Sequence, residues 1–445
     1  MAISKENKEN DLHHIVVVGG GAGGLELVTR LGDTLGRKRK ARITLIERSR
    51  RHLWKPLLHE IAAGSMHASQ HEVDYLAHAH WHHYRYRYGE MIGLNRDTRE
   101  IYLAPTYDKD GQEITPKRSF TYDTLVIAVG SMSNDFGTPG VAEHAIKLET
   151  SEQAELFNSK LVNACFRAHT QVETIQPGQL HVTIIGAGAT GTELAAELHQ
   201  TTRDVVAYGL DNITPEKDVR ITLVEAADRI LPALPENVSN STILLLNALN
   251  IDVRTSAFVT EVTSEGVRLE SGEFIGSRFV IWAAGVKGPE CLSNLDGLEL
   301  SRNHQLAVLP TLQTTLDPNI FAIGDCASCP NGDTGETVPP RAQAAHQQAS
   351  HVIKQIARRF SGKPLEPYVY RDFGSLISLA KYTTVGSLAG FGKGKKMQIE
   401  GYFALLVYQS LYKKHQIAIH GTTKVLLDTV GRFLSRRTST PIKLH

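Results

Sequence analysis

The chain has 445 residues, which exceeds one ordinary hydrophobic core and predicts two or three domains. Hydrophobic residues make up 41% and charged residues 21%, as in a folded globular protein, and a net charge of +1 argues against a nucleic-acid-binding protein. Four cysteines are too few for a disulfide framework. The N-terminus lacks a signal peptide's apolar region, and no run of about 18 apolar residues predicts a spanning helix, so the body is expected in the cytoplasm.

An apolar strand at residues 15–18 runs directly into a glycine-rich turn and the start of a helix. About twenty residues later a second apolar strand ends in Glu47. In such a unit the glycines permit a tight turn and a close approach to a pyrophosphate, while the carboxylate accepts bonds from a ribose. The pattern predicts a dinucleotide site built on Gly19, Gly21, Ala22, Gly23 and Gly24. A glycine-rich turn without a ligand is the alternative.

The same pattern occurs a second time at residues 181–198, with the glycines Gly186, Gly188 and Gly191. Its second strand ends at Glu225, after a polar insertion that lengthens the usual gap. A carboxylate at this position accepts from a free 2′-hydroxyl and repels a 2′-phosphate. No arginine follows it in the next two positions, so the second site favours NADH over NADPH.

Three more apolar strands each end in a small or acidic residue. They cover residues 122–131, 277–286 and 314–328, and they end near Gly130, Gly285 and Asp325. An aspartate at such a strand end can bind a ribityl hydroxyl. For each of the three strands taken alone, the alternative is an ordinary core strand that binds no ligand. Their order and spacing beside the two fingerprints predict two dinucleotides that meet head to head.

Two adjacent prolines predict a helix that begins at 341 and ends near 360. Its expected packing stripe consists of Ala345, Ala349, Val352, Ile356 and Phe360. Gln343 and Gln347 lie one turn apart on another face, flanked by His346. That face offers neutral donors to an apolar quinone, whereas a carboxylate would need costly desolvation. Because helices with two exposed glutamines are common, the residues alone also leave an ordinary scaffold helix open.

The histidine-rich segment 76–88 alternates polar and aromatic residues. This alternation predicts a solvated strand or loop rather than a set of metal ligands, and no cluster in the sequence has the quality of a metal site.

The C-terminal segment is basic and apolar. Residues 393–445 contain ten basic and two acidic residues, while the rest of the chain has an acidic excess. An apolar helix is expected at 403–412 and a basic amphipathic one at 421–437. The apolar face of the second contains Leu426, Leu427, Val430, Phe433 and Leu434, and Lys424, Arg432 and Arg436 face away. The segment predicts binding to an anionic lipid surface, with packing on the body or a twin subunit as the alternative.

These motifs together resemble the two-dinucleotide-binding flavoproteins and, more closely, the type II NADH:quinone oxidoreductases, the single-subunit alternative NADH dehydrogenases. The resemblance covers about residues 14–437 and is most specific in GDCASCP, PPRAQAAHQQA and IEGYFALLVYQSLYKKH. It implies an α/β fold with two Rossmann-like dinucleotide-binding domains, for FAD and NADH, and a C-terminal amphipathic helical membrane-anchoring segment. The implied FAD domain is 1–145 plus 300–390, the NADH domain is 146–299, and the anchoring segment is 391–445.

The resemblance also implies roles for single residues. Non-covalent FAD would be held by Gly19, Gly21, Gly24, Glu47, Gly130 and Asp325, with Lys55 as a further flavin contact. The NADH path would be lined by Gly186, Gly188, Gly191, Glu193, Glu225 and Gly285. Glu193 is expected near the nicotinamide, with a solvated first-turn helix acid as the alternative. Gln343 and Gln347 would bind the quinone head at the flavin's edge, and His346 or Glu193 would relay protons.

Cys326 and Cys329 form a C-x-x-C pair, which can be redox-active. Disulfide reductases of this superfamily carry their pair after the first fingerprint, where residues 48–65 contain no cysteine. Sulfide:quinone reductases use separated cysteines, which Cys165 with Cys326 or Cys329 would imitate. An inert buried pair or an incidental metal site is the expectation.

The implied function is a non-proton-pumping respiratory NADH:quinone oxidoreductase, peripheral on the cytoplasmic face of the inner membrane. Its partners would be NADH, a membrane quinone (ubiquinone or menaquinone) and anionic lipid, with no nucleic acid and no metal. The sequence does not fix the oligomeric state, and a homodimer is one possibility. The alternatives are a soluble NADH oxidase or ferredoxin-type reductase, and an FAD-containing redox-sensing protein of the apoptosis-inducing type.

Overall fold

The structure is a computed structural model that describes residues 12–332, 335–389 and 396–435. The chain divides into two compact units, each assembled from three stretches. The first unit contains residues 1–54, 72–132 and 286–371, and the second contains 55–71, 133–285 and 372–445. The sequence placed the boundaries at 145, 299 and 390. The assignment of FAD to one part and NADH to the other stays a prediction.

The first unit is built on a five-stranded parallel sheet. Its central strand, His14–Val18, is buried at every position, because a parallel sheet covered on both faces needs an apolar run rather than an alternating one. In spatial order the strands are Ile320–Ala322, Thr124–Ile127, His14–Val18, Arg42–Glu47 and Arg85–Tyr88.

Helices and a second sheet accompany the parallel sheet of the first unit. The helices Ala22–Leu31 and Ala342–Phe360 pack against each other. An antiparallel sheet is formed by Met91–Asn95, Glu100–Leu103 and Arg118–Thr121. Shorter elements are the helical turns Gly32–Gly36 and Gly324–Cys326 and the strand pairs Arg51–His52 with Val73–Asp74, Thr106–Tyr107 with Glu113–Thr115, and Leu306–Ala307 with Ala327–Ser328.

The second unit repeats the architecture. Its five-stranded parallel sheet has the spatial order Ala145–Lys147, Phe279–Trp282, His181–Ile185, Arg220–Val224 and Asp252–Arg254. The helices around it are Leu58–Ala63, Val141–His144, Ser151–Thr170, Ala189–Ala207, Pro215–Asp218 and Glu236–Ala248. A small antiparallel sheet comprises Val259–Thr263, Gly266–Leu269 and Phe274–Gly276, and its apolar side completes the core with Val224 and Trp282.

The C-terminal part of the second unit is a three-stranded antiparallel sheet followed by two helices. The strands are Gly374–Leu379, Thr383–Ala389 and Lys396–Glu400, and the helices are Gly401–His420 and Thr422–Ser435. The first helix is therefore longer than the predicted 403–412. The predicted basic residue Arg436 lies outside the described residues, as do the side chains of Arg432, Phe433 and Leu434.

Two local predictions were wrong. Half of the histidine-rich segment is a helix, Tyr75–Trp81, because Asp74 caps its N-terminus by accepting from the Ala77 N–H; only Arg85–Tyr88 is a strand. Phe360, assigned to the buried stripe of the glutamine helix, is 44% exposed, because it is the last residue of the helix.

Candidate functional site

The first glycine turn leaves an open cradle beside the helix N-terminus. A Cβ atom on Gly24 would lie 1.9 Å from the Gly19 carbonyl oxygen, so the turn closes only with glycine at that position. A Cβ on Gly21 would meet nothing within 4 Å. The side of the turn at Gly21 is therefore the side from which a pyrophosphate can approach the backbone N–H groups.

Glu47 ends the second strand and is fixed by the turn itself. Its Oε2 accepts from the Gly20 N–H at 2.6 Å and its Oε1 accepts from the Ser49 N–H at 3.0 Å. Each carboxylate oxygen has a second lone pair that can accept from a ribose hydroxyl. The backbone therefore orients the carboxylate before any ligand arrives.

The second glycine turn has the same geometry. A Cβ on Gly191 would lie 2.0 Å from the Gly186 carbonyl oxygen, whereas the position of Gly188 is open. Glu225 accepts from the Ala187 N–H at 2.7 Å and from the Ala227 N–H at 2.9 Å. Each unit thus contains a glycine turn and an oriented carboxylate whose geometry would fit a dinucleotide.

Asp325 is held from two sides within the first unit. The Ser131 hydroxyl donates to its Oδ2 at 2.9 Å, and the Gln305 side-chain amide donates to its main-chain oxygen at 2.8 Å. The preceding N–H, of Gly324, donates to Gln348 Oε1 at 2.6 Å. Gln348 was not predicted from the sequence, although it is only 1% exposed. Its position three residues after Ala345 places it on the packing side of the helix, and this spacing could have identified it.

Gln347, one of the two candidate residues of the glutamine helix, is hydrogen-bonded to the backbone of a later segment. Gln347 donates from Nε2 to the Arg371 carbonyl oxygen at 2.9 Å, and its Oε1 accepts from the Arg371 N–H at 3.0 Å. The Gln347 amide therefore fixes the backbone at Arg371, where the first unit ends. One N–H of the Gln347 side chain remains for a ligand. Gln343 is half-buried on the same helix. Small Ala344 and Ala345 are buried in the helix packing rather than lining open space.

His346 is paired with a carboxylate that the sequence analysis did not single out. Its Nδ1 lies 2.5 Å from Glu26 Oε2, and Arg30 and Ser350 donate to Glu26 Oε1 at 2.9 and 3.2 Å. Burial alone would raise the pKa of Glu26, but His346 and Arg30 together lower it. The sequence could have identified Glu26, because it follows the last glycine of the first fingerprint by two residues, as Glu193 follows the last glycine of the second.

Glu193 lies in a buried acidic cluster of the second unit, so the solvated alternative for it is wrong. It is 7% exposed, and its Oε1 accepts from the Ser378 N–H at 2.9 Å. Its Oε2 lies 3.7 Å from His59 Nδ1, and Tyr408 of the C-terminal helix hydrogen-bonds to the same carboxyl group. Burial, followed by the nearby charge of Glu60, raises the pKa of Glu193 to about 8.

The rest of this cluster was not foreseen. Burial and then the charge of Glu197 raise the pKa of Glu60 to about 8, and burial raises the pKa of Glu197 as well. His59 cannot compensate for them, because complete burial lowers its pKa to about 4 and leaves it neutral. The carboxyl groups of this cluster therefore hold protons near neutral pH, and they titrate as a coupled group.

The other predicted site residues lie on strand ends and turns. Gly130 has φ of +74°, and a Cβ on it would meet nothing within 4 Å. Gly285 has φ of +64°, and a Cβ there would lie 2.5 Å from the ring of Phe136. A Cβ on Gly23 would approach the Ala345 carbonyl oxygen to 3.0 Å. Ala22 begins its helix, and Lys55 is an exposed residue that groups with the second unit.

Both cysteines of the C-x-x-C pair are buried. Cys326 and Cys329 are both free thiols, and burial raises the pKa of each to about 12. A thiol of this kind is not a nucleophile at neutral pH. Within the part of the chain that the structure describes, no group of three or more His, Cys, Asp or Glu side chains is arranged to hold a metal ion.

Comparison with known proteins gives a consistent picture. Residues 13–349 match the model of the pyridine nucleotide-disulphide oxidoreductases. A type II NADH:quinone oxidoreductase of Haemophilus influenzae is 41% identical over 98% of this chain and all of its own length, and one of Staphylococcus aureus is 29% identical over 87% of this chain and 92% of its own. The structure of NDH2 from Plasmodium falciparum with NADH has a TM-score of 0.80 at 18% identity, covering 97% of this chain and all of that one.

Proposed function

The chain belongs to the pyridine nucleotide-disulphide oxidoreductase family and, within it, to the type II NADH:quinone oxidoreductases, and from that membership we propose how its residues divide the reaction. The overall reaction consumes NADH, a proton and a quinone and yields NAD⁺ and a quinol. Bound FAD would supply the hydride acceptor and the two-electron donor. The protein itself supplies binding, orientation and polarity.

The observation that carries the proposal is the duplicated cradle. The Gly19–Gly24 turn with Glu47 would hold FAD, and Asp325 would bind its ribityl chain. The Gly186–Gly191 turn with Glu225 would hold NADH. Glu225 has a carboxylate already oriented by two backbone N–H groups, so a 2′-phosphate would meet a fixed negative charge.

The glutamine helix would receive the quinone head. Gln343 and the remaining N–H of Gln347 are neutral donors, which an apolar quinone can meet without the desolvation of a charge. His346 is held by Glu26 next to these glutamines, and it can move a proton at its imidazole. Glu193, with a pKa of about 8, is a protonated carboxyl at neutral pH and can donate a proton in the second unit.

The C-terminal helices would place the enzyme on a membrane. Exposed apolar side chains recur along them: Tyr402, Phe403, Leu406, Leu411, Ile417, Leu426, Leu427 and Val430. The segment 393–445 is also strongly basic. Over the described residues no helix is both long and apolar enough to cross a bilayer. These features support peripheral attachment to an anionic leaflet, which we assign to the cytoplasmic face.

The test is anaerobic. The flavin of the purified protein is reduced with NADH and then mixed with a short-chain quinone or, separately, with air-saturated buffer, while flavin absorbance is followed. Reoxidation by quinone that is far faster than by oxygen supports the proposal. Equal rates would point to an oxidase, and no reaction with quinone would point to a redox sensor.

A further inference from the structure

Three acidic side chains of the second unit lie on two helices that pack against each other. Glu60 belongs to Leu58–Ala63, and Glu193 and Glu197 lie one turn apart on Ala189–Ala207. Glu193 and Glu197 are buried, and the Glu60 side chain is 20% exposed. Burial raises the pKa of Glu60 and of Glu193, and the charge of Glu197 adds to the effect on each. Ionised together, the three carboxylates would repel one another with little water to screen them.

The basic groups beside this acidic cluster do not neutralise it. His59 Nδ1 lies 3.7 Å from Glu193 Oε2, and His59 Nε2 lies 3.9 Å from Glu60 Oε1, so neither contact is a hydrogen bond. Burial lowers the pKa of His59 to about 4, so its ring is neutral at pH 7. Burial raises the pKa of Glu197 despite the charge of Lys381, whose side chain is 74% exposed. Bound protons, rather than a buried cation, therefore keep the cluster neutral.

Two tyrosines also face the acids, and one of them belongs to the C-terminal helix Gly401–His420. Burial raises the pKa of Tyr382, which lies near Glu197, so this phenol is neutral. Burial also raises the pKa of Tyr408, whose hydroxyl hydrogen-bonds to the Glu193 carboxyl. The C-terminal helix therefore forms one wall of the cluster, and Tyr408 joins that wall to an acid.

The C-terminal helix is packed more shallowly than the helix that carries Glu193. All twenty of its residues are described and three of them are buried, whereas thirteen of the nineteen residues of Ala189–Ala207 are buried. Displacing the C-terminal helix would therefore expose less apolar surface than separating the helices that carry the acids.

Glycines lie at both ends of the C-terminal helix. Gly401, its first residue, has φ of +71°, and Gly421, which follows it, has φ of +78°. A Cβ on either would meet nothing within 4 Å, so close packing does not hold these two positions. Glycine tolerates many backbone angles, and residues at the ends of an element absorb the change when the element moves as a body. Both ends of the helix are therefore suited to act as hinges.

We propose that the helix Gly401–His420 is a pH-sensitive cover over the acidic cluster, seated while the three carboxyls are protonated and displaced when they ionise. Tyr408 can donate to either form of the Glu193 carboxyl, so loss of that bond is not the driving force. The driving force is the hydration of charges that the closed cluster leaves unpaired, which requires water to enter. Displacing the shallowly packed helix admits this water. The device is independent of the proposed quinone reduction.

The direction of the pH dependence follows from the closed state. Glu60 and Glu193 each have a pKa of about 8 in the closed cluster, because burial raises it from 4.5. Opening to water therefore releases protons, and a rise in pH favours the open state. Above pH 8 one such carboxyl increases the open population about tenfold per pH unit, and the acids titrate as a coupled group.

The experiment measures hydrogen–deuterium exchange by mass spectrometry on the full-length, FAD-loaded protein at pH 7 and pH 9. Labelling times are scaled to the intrinsic exchange rate at each pH, so that the remaining difference reports on opening. Peptides within 401–412 should lose at least about tenfold of their protection at pH 9. Peptides within the helix Ser151–Thr170 of the same unit are the reference, and their protection should not change.

Variants assign the change to the acids. The double variant Glu60→Gln and Glu193→Gln cannot ionise at these positions, so its protection at 401–412 should fall by less than about threefold between the two pH values. Glu270→Gln, at an exposed acid of the same unit, is the matched control and should keep the full wild-type loss. Flavin absorbance reports whether each variant is folded.

Equal protection of 401–412 at both pH values would overturn the proposal. So would a loss that the double variant retains, or an equal loss in Ser151–Thr170, which would indicate general loosening of the unit. Should the double variant fail to fold, Glu193→Gln alone replaces it. A smaller loss than in the wild type then supports the cover, and the full wild-type loss counts against it.

Discussion

Glu26 and Glu193 occupy the same place in the two glycine fingerprints, two residues after the third glycine, and the fold gives them opposite proton affinities. Glu26 is paired with His346 and Arg30, which lower its pKa despite its burial. Glu193 shares its buried surroundings with Glu60, and its pKa rises to about 8. Equivalent positions in a duplicated motif thus carry an ionised carboxylate in one unit and a protonated carboxyl in the other.

The Glu193 carboxyl should make the protein less stable as the pH rises. Its pKa is near 4.5 in the unfolded chain and about 8 when folded, so the stabilisation by its bound proton is complete below 4.5 and is lost as the pH rises through 8. One such carboxyl costs up to about 1.4 kcal/mol per pH unit in that window. Urea unfolding at pH 5 and pH 8.5 should therefore show Glu193→Gln close to wild type at the lower pH and more stable at the higher one.

Glu270→Gln, at an exposed acid of the same unit, is the control for that measurement and should not gain stability relative to wild type at the higher pH. A Glu193→Gln variant that follows the wild-type pH dependence throughout would contradict the buried, protonated carboxyl.

The Glu26 carboxylate should stabilise the first unit at neutral pH. Its folded pKa is lowered, so its contribution is present above the unfolded pKa and is lost as the pH falls through the folded one. Glu26→Gln leaves His346 and Arg30 without their anion, and we expect a loss of about 1–3 kcal/mol at pH 7 that shrinks below pH 4. Denaturant melts at the two pH values check this, and an equal loss at both would show that packing, not charge, is responsible.

Alanine substitution of Gln347 or of Gln343 should weaken quinone binding. Gln347→Ala removes both hydrogen bonds to the Arg371 backbone, so we expect about 1 kcal/mol of lost stability together with a raised KM for quinone. Gln343→Ala should also raise the quinone KM. Steady-state kinetics at saturating NADH check both variants, with an unchanged KM for NADH as the internal control. If neither variant alters quinone kinetics, this helix is scaffold.

The cysteine pair should be dispensable for turnover. The double variant Cys326→Ser and Cys329→Ser should keep its FAD and its NADH:quinone activity, because thiols with pKa of about 12 are protonated at working pH. A stability loss of about 1–2 kcal/mol is expected from placing hydroxyls in buried positions. Abolished turnover with FAD still bound would instead identify these thiols as redox-active.

The last described helix should carry membrane affinity. Leu426 and Leu427 are 66% and 67% exposed, so Leu426→Asp and Leu427→Asp should leave the fold intact while reducing co-sedimentation with anionic vesicles by at least tenfold. Leu244→Asp is the matched control, since Leu244 is 71% exposed on another helix of the same unit. Equal vesicle binding by both variants would place the lipid contact elsewhere.

The strand, turn and helix of each glycine fingerprint could be predicted, because the residues that specify them are close together in the sequence. Each fingerprint sets a strand, a turn that only glycine can close and a helix within about twenty residues, and the repetition of the pattern predicted two similar sheets. The helix 342–360 followed from its prolines and its apolar spacing. The Tyr75–Trp81 helix was not predicted, because the alternation of polar and aromatic residues in this segment is also typical of a strand. The helix cap at Asp74 was the opposing signal.

The sequence by itself determined which residues can form the two cradles, because glycine closure and strand-end carboxylates depend on short-range geometry. Only the tertiary structure decided the state of the ionisable groups. Proton affinity depends on burial and on charges from distant segments, as when His346 is brought to Glu26, 320 residues away, or Ser378 to Glu193. The same long-range assembly placed the Arg371 backbone on Gln347 and brought Glu60 to Glu193 and Glu197.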